Sequence, residues 1–242
     1  MISAEKLVYD FYRKYNANNS GKNKKIPIVD VISYLNEALE IWFENKVFIA
    51  ETNQKVRNDL RQLEVKKEKL KVSRIDDRCV IAEYPSDFYQ LLNQVAIVKS
   101  DCCDEKKELI VRILQSDDLQ EARRNPYRKT DFKWEQLIGD EAGNGLYLYE
   151  DKELEVECVY IDYIRKPKYL DAPELLKCGL GKYVNYSGQT IVINKDFEID
   201  STFANRQVSD LAVLLVSRDL NNLAGFNSQA SKILQVEKLY RS

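Results

Sequence analysis

The stretch that most constrains the fold runs from Glu153 to Pro167 and reads ELEVECVYIDYIRKP. In its first half, glutamates alternate with apolar residues, and a period of two is typical of a β-strand with one exposed face and one buried face. From Val159 to Ile164 only Asp162 interrupts the apolar run. We therefore predict a strand that buries both faces in its second half and ends at Pro167, which cannot donate to a ladder.

Shorter strand-like segments surround this one, between about residues 72 and 194. They are Cys79–Tyr84, Gln94–Lys99, Glu108–Leu114, Phe132–Ile138, Leu146–Tyr149 and Gln189–Asn194. Polar and turn-forming residues separate them at short intervals, which favours antiparallel hairpins. The spacing predicts that Leu146–Tyr149 pairs with the long strand across the turn at residues 150–152.

Helical periodicity is confined to the two ends of the chain. Apolar residues recur every three or four positions in Ser3–Asn18, in the segment from Pro27 to Ala50, and in Asn53–Glu64, Phe203–Ala224 and Ser228–Tyr240. Trp42, in the second of these, has two readings: a platform for stacking bases, or a core side chain. Its place on the apolar face favours the core.

The fold class that follows is α+β. We predict a helical bundle built from the N- and C-terminal helices, with an inserted antiparallel β block that forms a small sandwich or sheet. The corresponding segments are 1–66 for the first helices, 67–200 for the β block, and 201–242 for the returning helices and an assembly arm.

Composition excludes several kinds of active site. The chain has no histidine, so the usual general base, the commonest zinc ligand and every Ser-His-Asp or Cys-His pair are missing. Eight glycines form no phosphate-binding loop, and the formal net charge is only −2. We expect no catalytic activity, no cofactor and no metal.

The five cysteines are an odd number without the spacing of a disulfide framework. Free thiols are typical of a reducing compartment, where they pack as small apolar groups. Because Cys79 and Cys158 stand within strand-like apolar sequence, we predict that both are buried and unbridged.

The last predicted helix has an apolar stripe and follows Gly225, a residue suited to ending the previous helix. The stripe is our candidate oligomer or partner interface, and it consists of Ile233, Leu234, Val236, Leu239 and Tyr240. The alternative is that this helix folds back on its own bundle.

Several segments together resemble the head-to-tail connector proteins of short-tailed bacteriophages, and most of all the ring proteins of crAss-like phages. They are the Trp42 helix followed by Leu60–Leu63, then Tyr84–Tyr89 (YPSDFY), Tyr160–Pro167 (YIDYIRKP) and the helix from Asp210 to Asn222. The resemblance covers most of the chain in short pieces.

This resemblance implies a structural virion protein, a subunit of a homo-oligomeric ring of about twelve copies below the portal. It also implies contacts with the portal protein and with neighbouring ring or tail proteins, and passage of genomic DNA without sequence-specific binding. The expected place is the neck or tail of the virion, after synthesis in the host cytoplasm, with no membrane partner. The alternative is a small soluble α+β binding or regulatory module without catalytic activity.

Overall fold

The computed structural model describes residues 2–18, 26–50, 53–100, 103–151, 154–170, 182–184, 190–192, 196–197, 202–220 and 230–231. The chain divides into two compact units. The helical unit comprises Met1–Leu63 and Pro167–Ser242, and the barrel unit comprises Glu64–Lys166.

The described residues form seventeen elements. In order they are β1 (Ile2–Ser3), α1 (Ala4–Asn18), α2 (Ile28–Ala50), α3 (Gln54–Leu60), a 3-10 turn (Arg61–Leu63), β2 (Glu64–Asp76), β3 (Cys79–Glu83), β4 (Phe88–Ser100), β5 (Cys103–Ile113), α4 (Ser116–Arg124), β6 (Leu137–Ala142), β7 (Gly145–Tyr149), β8 (Leu154–Arg165), β9 (Lys182–Val184), β10 (Thr190–Val192), β11 (Asp196–Phe197) and α5 (Thr202–Asp219).

Seven strands of the barrel unit form a closed barrel in the order β2-β3-β7-β6-β5-β4-β8, with β8 returning to β2. The prediction of a helical bundle with a small inserted sheet or sandwich is therefore wrong. Alternation along one strand shows which face is buried, but it does not show whether the sheet's two edges meet. Here they meet, because β8 pairs with β4 along its whole length and with β2 over residues 159–164.

Strand pairing also differs from the predicted hairpin of Leu146–Tyr149 with the long strand. β7 lies between β3 and β6, whereas β8 lies between β4 and β2. One neighbouring pair, β5 with β6, is parallel, and α4 lies in the connection between them. The predicted strand Phe132–Ile138 begins only at Leu137.

A β-bulge in β8 explains the apolar run from Val159 to Ile164. Ile97 pairs with Cys158 and Val98 pairs with Val156, so Glu157 is an extra residue opposite β4. Before the bulge, Leu154 and Val156 point inward, and after it Val159, Ile161 and Tyr163 do. The apolar run therefore has two causes. The bulge shifts by one residue which positions of β8 point inward, and the outer face of the strand is also partly buried.

The barrel interior is apolar throughout. Its buried members are Leu70, Val80, Ala82, Ala96, Val98, Leu109, Val111, Leu137, Leu146, Leu148, Leu154, Val156, Val159, Ile161 and Tyr163. On the outside, α4 covers Ile138 with Leu119 and Ala122. A two-residue turn at Gly143-Asn144 joins β6 to β7, and its first residue has φ +62°, which glycine adopts without strain.

The helical unit packs α1, α2, α3 and α5, whose bounds lie close to those predicted from apolar spacing. Pro27 precedes α2, and its carbonyl accepts the first helical hydrogen bond from Val31. α2 is central, because one broad face of it is buried, including Leu35, Leu39 and Trp42. Trp42 is thus a core residue, as predicted, and not a stacking platform.

Candidate interaction surfaces

The predicted interface residues of the last helix are not positioned by the structure. Ile233, Leu234, Val236, Leu239 and Tyr240 all lie outside the described residues, which in this part of the chain are only 230–231. Both readings of that helix, assembly arm or core element, therefore stay predictions.

The residues able to hold a metal are dispersed. Within the described ranges, no group of three or more cysteine, aspartate or glutamate side chains could hold an ion. Cys79 and Cys158 are both buried and free, as predicted. Burial, assisted by Asp76, raises the pKa of the Cys79 thiol, which makes it a poor nucleophile at neutral pH.

Polar side chains join the two halves of the helical unit, which are far apart in sequence. The buried Asn36 amide forms two hydrogen bonds with the backbone of Leu170: Nδ2 donates to its carbonyl at 3.2 Å, and Oδ1 accepts from its N–H at 2.7 Å. A side-chain amide thus satisfies a buried peptide group as a neighbouring strand would. The contact fixes the segment after the barrel against α2.

Two further contacts join the N-terminal helices to α5. Trp42 Nε1 donates to Gln207 Oε1 at 2.9 Å, and Lys14 Nζ lies 2.9 Å from Asp210 Oδ1. Burial lowers the pKa of Lys14, while Asp210 opposes that shift. These contacts specify how α5 packs in a unit whose core is otherwise apolar.

One end of the barrel is held by a buried carboxylate. Glu150 Oε1 accepts a hydrogen bond from the Val156 N–H at 2.7 Å, and Glu150 Oε2 lies 3.1 Å from the Arg74 guanidinium. Arg74 also reaches Glu155 at 3.3 Å. Glu150 begins the crossing from β7 to β8, so this arrangement stabilises the crossing and has a structural role.

Aromatic side chains fill the opposite end. The rings of Tyr84 and Phe88 stack with centroids 3.8 Å apart, and Tyr163 donates from its hydroxyl to Asp87 at 3.1 Å. Burial, and then the bond to Asp87, raises the pKa of Tyr163 to about 12. Residues of the segment YPSDFY thus cover this end of the barrel.

A short turn on the barrel unit presents an exposed tryptophan. Asp131 and Gln136 exchange backbone hydrogen bonds of 2.8 and 3.0 Å, which close a four-residue loop. Asp131 Oδ1 accepts from the Trp134 N–H at 2.9 Å, and Glu135 closes the loop with φ 55°. The indole of Trp134 is 68% exposed in this ordered turn.

Side-chain contacts hold the same turn against the barrel. Phe132 packs against the barrel core, and the Lys107 ammonium lies 4.8 Å from its ring centroid and 3.3 Å from the Glu135 carboxylate. These contacts fix the backbone that carries Trp134, and tryptophan is frequent among binding hot spots. The turn is therefore suited to protein contacts.

Exposed apolar side chains also occur elsewhere on both units. Ile110 on β5 is 71% exposed, Tyr127 after α4 is 83% exposed, and Phe48 near the end of α2 is 78% exposed. Such side chains are common singly, but large aromatic ones on ordered backbone are typical of interfaces. Trp134 and Ile110 were not predicted from the sequence as interaction residues, although Ile110 stands between Glu108 and Arg112 on the polar face of its strand.

No helix in the described part of the chain is long and apolar enough to span a bilayer. No protein-family model matches the sequence, and no curated protein matches it significantly.

Proposed function

We propose that the chain is a structural virion protein, a subunit of an oligomeric head-to-tail connector ring below the portal of a short-tailed bacteriophage. In this role it forms part of the channel for DNA passage and joins the capsid to the tail. Its partners are further copies of itself, the portal protein and neighbouring ring or tail proteins.

The observation that carries the proposal is that each unit separately presents exposed aromatic side chains on ordered backbone. The barrel unit has Trp134, and the helical unit has Phe48 and Tyr9. A subunit in a closed ring uses two different surfaces, one for each neighbour, so it needs interface residues at more than one place. Exposed apolar area of this kind is stabilised when a neighbour covers it.

The polar chemistry supports a structural role. The buried charged and amide groups described above are engaged in holding elements together: Asn36 holds Leu170, Glu150 holds the crossing to β8, and Lys14 holds α5. A formal net charge of −2 is compatible with a channel wall that does not bind DNA phosphates tightly. We accordingly propose that DNA passes without sequence-specific contacts.

The location follows from the role. We propose synthesis in the host cytoplasm and incorporation into the neck or tail region of the virion, in keeping with the connector-like segments noted in the sequence. The free thiols Cys79 and Cys158 are compatible with a reducing compartment during synthesis.

A second candidate is a binding or regulatory module that acts without a ring. The Trp134 turn favours it, because one preorganised aromatic anchor is enough for a single partner. The two candidates differ in assembly, since a module has no need of self-closure.

Deletion of residues 227–242 tests how the ring would form. If the last helix is an assembly arm, the shortened chain keeps a cooperative melt but no longer enters rings or particles, as seen by cryo-EM of the purified protein and of phage assembled with it. Loss of the cooperative melt would assign the helix to the core of the helical unit. Normal folding with normal assembly would show that the arm is not used.

A further inference from the structure

The outer face of β5 carries an apolar side chain between two opposite charges. Leu109 and Val111 point into the barrel, whereas Glu108, Ile110 and Arg112 are exposed. Successive residues of a strand alternate between faces, so these three side chains form one row. Ile110 is at its centre, with the carboxylate on one side and the guanidinium on the other.

Neighbouring residues widen the apolar part of this row. Val95 of β4 pairs with Ile110, and Ile97 pairs with Glu108. Both β4 side chains lie on the outer face, because the intervening Ala96 and the next residue Val98 point inward. We call Val95, Ile97 and Ile110, with the flanking Glu108 and Arg112, the outer stripe.

Among the residues that the structure describes, the two charged side chains of the outer stripe, Glu108 and Arg112, have no ion-pair partner. On the same outer surface, Lys106 forms an ion pair with Glu157 at 2.6 Å. An exposed isoleucine between two opposite charges is the feature to be explained.

We propose that the outer stripe binds the same stripe of a second copy of this chain about a twofold axis. If two β5 strands face each other in opposite directions with Ile110 on the axis, Glu108 of each copy meets Arg112 of the other. A twofold contact is self-complementary by definition, and the order acid–isoleucine–base along one strand has that property. The charges therefore identify the occupant as a second copy.

The contact buries isoleucine and valine side chains and forms two symmetric ion pairs at its rim. Because the stripe is narrow, we expect a weak pair, with a Kd on the order of 10 μM. This inference goes beyond the proposed ring, since a twofold contact alone pairs subunits and does not close a ring. It doubles the mass of a monomer, and it doubles the mass of a ring when the outer stripes all lie on one face of that ring.

Charge reversal of the full-length protein gives the test, with mass measured by analytical ultracentrifugation across the micromolar range. Glu108→Arg places two arginines opposite each other at both ends of the contact, and Arg112→Glu places two glutamates there. Each single variant should weaken the pairing by about tenfold or more. The double variant, in which the charges are exchanged, should pair as the unchanged protein does.

Mixing the two single charge variants tests the proposed pairing most specifically. A mixed pair has one acid and one base at each end, so it should form although neither variant pairs with itself. Ile110→Asp should also abolish pairing, whereas the matched change Ile75→Asp, at an exposed isoleucine outside the stripe, should leave it intact. Unchanged melting curves for every variant would show that the changes act on association and not on folding.

Two results would overturn the inference. One is an unchanged protein whose mass does not double at any concentration up to several times the expected Kd. The other is pairing that persists in both single charge variants, or that is not recovered in their mixture. The closure number of a ring, measured in the same runs, is independent of these results.

Discussion

The barrel unit and the helical unit are each stabilised by a different kind of interaction. The barrel is one continuous segment whose strands are joined by backbone pairing and whose interior is apolar. The helical unit is built from both ends of the chain, and its two halves are joined by side-chain contacts such as Asn36–Leu170 and Trp42–Gln207. The register of strand pairing therefore determines the structure of the barrel unit. In the helical unit, a few polar side chains determine how the two halves pack.

This difference predicts different responses to mutation. A fault in the barrel interior should spread around a closed sheet, because every strand has two neighbours. A mutation that removes a polar contact of the helical unit should weaken the packing of its C-terminal half, while the helices that precede the barrel stay folded.

Ile161→Asp should have the largest effect. Ile161 is in the barrel core, so the variant places an unpaired carboxylate there at a cost of about 4 kcal/mol or more, a large part of the stability of a domain. Hydrogen exchange read by mass spectrometry should show loss of protection in β4 and β8, with α2 keeping most of its own.

The matched control for this change is Glu155→Gln on the exposed face of the same strand. It removes one rim contact with Arg74 and should leave exchange nearly as it was. Equal destabilisation by the two changes would show that the two faces of β8 are wrongly assigned. Equal loss of protection in α2 would show that the two units unfold as one.

Asn36→Leu should have the next largest effect and act on the helical unit. It leaves the N–H and C=O of Leu170 buried without partners, which costs about 2–4 kcal/mol. In a Trp134→Phe background, the fluorescence of Trp42, which is buried in this unit, reports its unfolding by urea. Asn45→Leu, at an exposed position of the same helix, is the control and should shift the midpoint little.

Alkaline pH should weaken both units through tyrosines. The pKa is raised to about 12 for Tyr163 in the barrel and for Tyr34 in the helical unit, in each case first by burial and then by a bond to an aspartate. The folded state thus holds these protons more tightly than the unfolded state, whose tyrosine pKa is near 10. The resulting stability is complete below pH 10 and is lost as pH rises toward 12.

Tyr163→Phe and Tyr34→Phe separate the two contributions. Each should make the fall in the urea midpoint between pH 10 and 12 shallower, compared with the unchanged protein. Tyr127→Phe, at an exposed position, should not change that slope. A slope that is the same in all four proteins would contradict the assignment.

The smallest effect is expected from the ion pair of Lys106 and Glu157 on the barrel surface. A hydrogen bond from Lys106 lowers the pKa of Glu157, but both side chains are about half exposed and water screens their attraction. Glu157→Gln should leave the melting temperature of the barrel unchanged within error at any salt concentration. A clear decrease would mean that the β8 bulge depends on this carboxylate.

Local features of the fold could be predicted from the sequence. The apolar spacing around Leu35 and Trp42 located α2, and the alternation around Glu155 located the exposed face of β8. Burial of Cys79 and Cys158 followed from the same strand patterns. In each case the signal lies within one element, so neighbours in space are not needed to interpret it.

Features that depend on neighbours could not be predicted. Closure of the barrel requires β8 to pair with β2, which lies far before it in sequence, and β5 to pair with β6 in parallel. The bulge at Glu157 shifts by one residue which positions of β8 point into the barrel. From the sequence, the resulting apolar run was interpreted as a strand buried on both faces. The Trp134 turn was read as a strand, because its aromatic residues are common in strands.

Native mass of the full-length protein is the measurement that tests the proposed function most directly. The proposal predicts one closed oligomer of about twelve subunits, or twice that number if rings pair through the outer stripe. The mass should not grow further with concentration, because a closed ring has no free ends. A protein that forms only monomers and dimers up to high concentration, and also when mixed with portal complexes, would contradict the account.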